Sequence, residues 1–305
     1  MARLLFDRGA RGQIVRDIQQ HLADAGHHFD SIDGIYGQQT VTSVQSFQQA
    51  KGMPVTGSID ETTWTSLTNE PVPTVAERCL GLTSTFEGHG FTLAQGNFDG
   101  AGITWGIIGF TLQAGELTKL VEAAYAQDAA LVRDCFGDAT DTLLTMLEKP
   151  WSQQLAWADS ISLGTSKATL AEPWKSGFAK LGASAIGQQL QLERVRSAYY
   201  TPALATASDF ALKTEVGVAL CFDIHVQNGG IHDSAANLVR SQMTPGMPEL
   251  DVRVLIANAV ADSAKAQWRE DVRNRKLTIA KGSGAVHGIT AVLRNWGLDE
   301  FVVSA

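Results

Sequence analysis

The spacing of apolar residues is the tightest constraint on this chain. Ile14, Ile18 and Leu22 fall at every fourth position, with Val15 beside them, which makes one apolar face on a helix. The turn-forming cluster DSIDGIYG at 30–37 ends that stripe. A second stripe starts near Gln38 and carries Val41, Val44 and Phe47 on one face. Gly52, Pro54 and Gly57 break it, and Asp60 stands where a cap opens a short third helix bearing Trp64 and Leu67. Thr74 and Glu77 form a T-x-x-E capping box for the next helix, which the glycines at 88 and 90 stop near Glu87. Residues 91–110, rich in Gly, Thr, Ile and Trp, predict a hairpin or three short strands. Helical periodicity then predicts helices over 114–135, 139–148, 151–162, 172–200, 208–227, 233–241, 250–274 and 285–296. The expected fold is mostly α. A three-helix domain spans 1–70 and a Pro-containing linker 71–75, and a mainly helical α+β domain with a small β element near its start spans 76–305.

Composition narrows the function. Hydrophobic residues make up 44% and charged residues 18%, so a sizeable core is expected rather than disorder. Net charge is −8, spread over both parts of the chain, which argues against nucleic acid as a partner. Cys79, Cys135 and Cys221 lie far apart among apolar neighbours and read as buried free thiols, with no metal spacing. No run is long and apolar enough for a membrane span, and MARLLFDRGARGQIV lacks the apolar stretch of a secretory signal. Synthesis in the cytoplasm is therefore expected, with release by another route for any action outside it. A monomer without cofactor or metal is expected.

Within 12–67 the spacing is specific. It reads G-x-x-V-x-x-I-Q-x-x-L, then D-G-I-Y-G-x-x-T-x-x-x-V-x-x-F-Q, then T-G-x-I-D-x-x-T-W-x-x-L. This pattern resembles the three-helix peptidoglycan-binding module of many wall hydrolases. The resemblance implies bacterial peptidoglycan, through its glycan strand, as the partner. Asp33, Tyr36, Thr40 and Gln48 are the polar and aromatic candidates for touching it.

The chemistry points to FEGHGFTLAQGNFDGAGITWGIIGF at 86–110. Glu87 sits where a helix ends, and the partial negative charge of a helix C-terminus favours a protonated carboxyl there. Asp99 lies in a Gly-rich turn five residues before Thr104, a wetter setting that favours the ionised form. One protonated and one ionised carboxyl are what glycoside hydrolysis requires. By themselves these residues also fit an ordinary helix end. The order helix–Glu–hairpin–Asp resembles the lysozyme superfamily, and D-G-x-G-x-T-x-G-I-I-G-F from Asp99 to Phe110 is similar to the chitosanases of glycoside hydrolase family forty-six. The resemblance implies Glu87 as acid, Asp99 as base and Thr104 as the residue orienting the attacking water. It also implies inversion, with carboxyl groups roughly 6.5–9.5 Å apart. Ala101 stands where that motif usually carries an arginine.

Further candidates surround this pair. Asp223, His225, Gln227, Asn228 and His232 gather at an expected helix end, where His225, Gln227 and Asn228 are candidates to bind sugar hydroxyls, with Asn228-Gly229-Gly230 as a plain helix stop the alternative. Trp105 is the aromatic expected on a sugar ring, with core packing as the alternative. The run REDVRNRK at 269–276 reads as a solvated face, or else supplies Arg273 or Arg275 to pair with Glu87 or Asp99. KGSGAVHG at 281–288 lacks the order of a phosphate loop. The whole reads as a modular peptidoglycan hydrolase of the phage endolysin type, a muramidase cutting a β-1,4 bond between N-acetylmuramic acid and N-acetylglucosamine. The alternatives are a chitosanase or chitinase fused to a wall module, and a non-catalytic wall-binding protein.

Overall fold

A computed structural model describes residues 2–87 and 90–303. Its first elements are β1 (Leu4–Phe6), α1 (Gln13–Asp24), α2 (Gln38–Ala50), β2 (Ile59–Asp60), α3 (Glu61–Thr68) and α4 (Val75–Glu87). There follow β3 (Ala94–Gln95), β4 (Thr104–Trp105), β5 (Phe110–Thr111), α5 (Glu116–Gln127), α6 (Ala129–Phe136), α7 (Thr140–Leu147) and α8 (Trp151–Ser160). Next come β6 (Ser162–Leu163), β7 (Thr169–Leu170), α9 (Trp174–Ala183), α10 (Ala185–Val195) and α11 (Thr201–Asp209). The chain closes with α12 (Glu215–Asn228), α13 (Asp233–Gln242), α14 (Glu249–Ser263), α15 (Arg269–Ala280), β8 (Ser283–Val286) and β9 (Ile289–Val292). The fold is mostly α with small antiparallel sheets. It divides into two compact units, residues 1–86 with 197–305 and residues 87–196.

In the first unit, α1–α3 bury the apolar stripe: Val15, Ile18, Leu22, Val44, Phe47 and Trp64 are all core residues. Two buried glutamines hold the turns between these helices. Gln19 donates to Asp33 Oδ1 at 2.8 Å and to Thr40 Oγ1 at 3.2 Å, and accepts the Gly34 N–H at 2.8 Å. Gln48 accepts the N–H groups of Thr56 and Gly57, each at 2.9 Å, and donates to Ser58 O. Buried turn backbone must find partners, and these side chains supply them. Gly34 has φ +72°, and a Cβ there would meet Gly12 O and Arg16. Asp60 caps α3 through the Thr63 N–H at 2.7 Å. The Thr74–Glu77 capping box is formed in both directions, at 2.7 and 3.3 Å.

The same unit joins this three-helix bundle to the C-terminal third of the chain. Strand β1 pairs with β2 on one side, and on the other the Asp7 N–H donates to Asn295 O at 3.1 Å. Trp296 Nε1 donates to Arg11 O at 3.2 Å. Glu215, 2% exposed at the start of α12, takes Arg78 Nη2 at 2.9 Å and Arg3, while both arginines also donate to Gly297 O. One buried carboxylate thus holds β1, α4, α12 and the C-terminal segment together.

Several expected helices are divided. Asp128 caps α6 through Leu131 and ends α5, and Ser184 caps α10 through Gly187 and ends α9. The helix expected over 285–296 is instead the hairpin β8–β9, with Val286 paired to Ile289. His287 and Gly288 carry φ of +49° and +77°. Two consecutive positive φ values make the tight turn whose twist suits a hairpin, and β-branched Val286, Ile289, Thr290 and Val292 suit its strands.

Removing the charge of Glu215 leaves two guanidinium groups without their shared anion. Glu215→Gln is expected to destabilise the protein by about 3–5 kcal/mol, read as a lower urea midpoint. A shift below about 0.5 kcal/mol, the range of an ordinary surface substitution, would contradict this role.

Candidate active site

In the second unit, β3, β4 and β5 form an antiparallel sheet with Gln95 opposite Thr104 and Thr104 opposite Thr111. The turn between β3 and β4 carries Asp99 into solvent. Its Oδ1 accepts the Ala101 N–H at 3.0 Å. Asn97 braces this turn: its Oδ1 accepts the Gly102 N–H at 2.8 Å, its Nδ2 donates to Asp159 Oδ1 at 2.7 Å, and its backbone N–H donates to Ser162 Oγ at 2.9 Å. Hydrogen bonds from Lys167 and Asn97 hold the Asp159 carboxyl below the usual carboxylate range. Asp99 therefore projects from a turn fixed on both flanks, beside Phe98, which is 47% exposed.

Thr104 follows in β4. It is 6% exposed, yet its Oγ1 has no hydrogen-bond partner among the described residues. A buried hydroxyl without a partner costs about 1–3 kcal/mol, so each such group calls for an explanation. Gly106 lets the chain approach α10 closely. Its φ is +90°, and a Cβ would collide with Gln191 Oε1, which accepts the Ile107 N–H at 2.9 Å. Gln191 Nε2 in turn donates to Phe91 O at 3.1 Å, tying both ends of the β element to one helix.

Trp105 corrects an expectation. It is 1% exposed, its Nε1 donates to Phe178 O at 3.0 Å, and its ring packs on Phe178, 5.5 Å between centroids. It belongs to an aromatic core continued by Phe136, Trp174 and Trp157, and offers no face to a sugar. Glu87 is the last residue of α4 and is half-buried. Gly88, expected as the helix stop, lies outside the described residues.

The other candidates lie in the first unit. Asp223, fully buried on α12, receives Arg275 Nη2 at 2.7 Å, Lys276 Nζ at 2.6 Å and Thr83 Oγ1 at 3.1 Å. Burial raises its pKa, but the two cations outweigh burial and lower it to about 2. Lys276 also donates to Gln227 Oε1 at 2.7 Å. The run 269–276 is thus only partly a solvated face, because Arg275 and Lys276 are core residues. Arg275 stacks over Phe86, the residue before Glu87, at 5.2 Å. Arg273 lies at the surface with Asp262 and Asn258. His225 is half-buried against Thr206 at 2.9 Å, and burial lowers its pKa. Asn228 Oδ1 is buried without a partner among the described residues, at the end of a helix closed by left-handed Gly229. Among the described residues no cluster of His, Cys, Asp or Glu is arranged to hold a metal, and no helix is long and apolar enough to cross a membrane. The three cysteines are buried and free.

The wall-module candidates also need correction. Tyr36, Thr40 and Gln48 are each 1% exposed. Tyr36 donates to Gly57 O at 2.9 Å, and Thr40 and Gln48 belong to the turn-holding networks. They build the bundle rather than its surface. Asp33 alone of the four is exposed. Reading the sequence also missed Asn97 and Phe98. The Asn-x-Asp-Gly spacing, typical of side chains that bond their own turn, was the signal available.

Residues 11–67 match the family described as "Putative peptidoglycan binding domain". No curated protein matches the chain. Among solved structures, the Gynuella sunshinyii GH46 chitosanase in complex with chitotetraose is 17% identical, covering 73% of this chain and 98% of that one at a TM-score of 0.51. A mutant chitosanase from Bacillus subtilis MY002 complexed with 6 GlcN is 16% identical, covering 69% and 88% at a TM-score of 0.50. A Burkholderia AP3 phage endolysin aligns at 20% identity over 72% and 97%, with a TM-score of 0.20, from which nothing follows. The chain carries a peptidoglycan-binding domain and shares the lysozyme-like fold of the two chitosanases.

The Asp223 cluster sets an expectation for acid. Its pKa in the fold lies below that of an unfolded aspartate, about 3.9. The stabilisation is therefore complete above about pH 4 and is lost as pH falls through the folded value of about 2. Asp223→Asn is expected to lower stability at pH 7 by about 3–5 kcal/mol and to flatten the acid limb of the stability curve. Denaturant midpoints from pH 2 to pH 7 measure both, and an unchanged acid limb would contradict the assignment.

Proposed function

We propose that this chain is a wall-degrading glycoside hydrolase in which Glu87 protonates the leaving oxygen, Asp99 takes a proton from the attacking water, and Thr104 orients that water. The target on this reading is the β-1,4 glycan strand of peptidoglycan, cut with inversion. The observation that carries it is the Thr104 hydroxyl, buried in β4 without a partner among the described residues, five residues after the exposed Asp99 carboxylate. A hydroxyl left unpaired by the described residues can accept from or donate to a water or substrate oxygen. A carboxylate in a solvent-facing turn is in reach of water, as a general base requires. Phe98 replaces Trp105 as the aromatic proposed to touch a sugar ring.

Peptidoglycan is favoured as substrate by the domain at 11–67. The partition into a wall-binding part over 1–70 and a catalytic part over 76–305 belongs to the same proposal. A second reading, hydrolysis of chitosan, is favoured by the shared fold of the chitosanases. Ala101, in place of the arginine usual in their motif, counts against it. Turbidity loss on purified peptidoglycan against reducing ends released from chitosan separates the two. Clearing of the wall without release from chitosan is expected, and the reverse would overturn the preferred substrate.

Two variants test the roles. Glu87→Gln cannot donate a proton and is expected to lower kcat by about 10²–10⁴-fold. Equal lysis by variant and parent would remove Glu87 from the mechanism. Thr104→Val replaces a buried hydroxyl that is unpaired among the described residues with a methyl group of the same shape. It is expected to leave stability unchanged or raised by about 1 kcal/mol while lowering kcat by about 10²-fold through misplaced water. A destabilised but fully active variant would mean that Thr104 serves the fold alone.

A further inference from the structure

Within the first unit lies a cavity of about 820 Å³ that none of the proposed catalytic residues lines. Strand β1 builds it. One wall is the loop from Met53 to Ser58 and the start of α3, and the other is the 294–295 segment fixed to β1 by the Asp7–Asn295 backbone bond. The site is therefore composite: the peptidoglycan-binding domain supplies one side and the C-terminal segment the other.

Its chemistry has two signs. Asp7 and Asp60 both line it. Asp7 Oδ1 accepts from Ser58 Oγ at 2.9 Å and Asp60 Oδ1 from Thr63 N–H at 2.7 Å, while the Oδ2 atoms of both take no hydrogen bond among the described residues. Each carboxylate thus keeps an acceptor for a donor from outside. Arg294 lines the same cavity with its side chain 69% exposed, held only by Asp299 at 3.8 Å among the described residues. Met53, Pro54 and Leu4 add apolar surface, and no aromatic ring among the described residues lines the cavity. Sugar rings are characteristically held against aromatic faces. A ligand with an ammonium, a carboxylate and small apolar side chains fits this lining better than a glycan.

We infer that the cavity binds the peptide stem of peptidoglycan, with its amine at Asp7 and Asp60 and its terminal carboxylate at Arg294. This inference rests on reading residues 11–67 as wall-binding, and it makes the stem rather than the glycan the feature the domain recognises. Affinity for one stem need only be modest, because a wall presents many stems to each bound molecule.

The test uses the full chain and the soluble tetrapeptide L-Ala–γ-D-Glu–meso-diaminopimelate–D-Ala, titrated by calorimetry or NMR. The parent is expected to bind it. Arg294→Ala, Asp7→Asn and Asp60→Asn should each weaken binding at least tenfold, with thermal midpoints near the parent's because asparagine keeps the Ser58 bond and the α3 cap. Glycan strands stripped of peptide should not compete. Failure of the parent to bind, competition by naked glycan, or parent-like affinity in the three variants would each overturn the inference. Release of reducing ends from naked glycan strands is measured in parallel. The three variants should match the parent there, and a parent that releases none would sink the hydrolase reading while leaving the peptide titration to decide this one.

Discussion

One buried carboxylate organises the larger unit. Glu215 draws Arg3, just before β1, and Arg78 from α4 onto the start of α12, and both arginines also hold Gly297 O. Desolvating three charges is costly, and it is tolerated where each is paired and further hydrogen-bonded. The consequence is mechanical. Helix α4, whose last residue is Glu87, is anchored near its start by Arg78 and cannot shift without breaking this knot. Residues 1–70 share the anchor, so the three-helix bundle packs in the same unit as the C-terminal segment.

The polar groups of the two units differ in kind. Asp223 and Glu215 are buried and saturated with cations, and they serve the fold. Asp99 is exposed and bonded to its own turn, and the brace on that turn comes from Asn97, Asp159 and Ser162. Thr104 is buried with its hydroxyl unspent among the described residues. Saturated polar groups resist change, and groups left with spare acceptors or donors are the ones able to meet a substrate. That contrast separates Asp99 and Thr104 from Asp223 and Glu215, and Asn228, whose buried Oδ1 also has no partner among the described residues, falls on their side of it.

Much of this was legible in the residues. The apolar stripe located α1, α2 and α3, and the capping box located α4, because each depends on local spacing. The Gly-rich run located the three-stranded sheet. What failed depended on burial, which local spacing does not encode. Trp105, Tyr36, Thr40 and Gln48 read as surface chemistry and proved to be core. Arg275 and Lys276 sit in a run of mixed charge that gives no sign of a buried acid from another helix. The β8–β9 hairpin was hidden because its alternation also fits a short helical stripe, and only the left-handed His287–Gly288 turn distinguishes them.

The central claim is that Asp99 activates a water that attacks opposite the departing sugar. The anomeric configuration of the first-formed product, followed by proton NMR before mutarotation, tests it most directly. An α-anomer released from a β-1,4 strand is the predicted result. A β-anomer would mean retention, and Asp99 could not then act as the base that activates the attacking water.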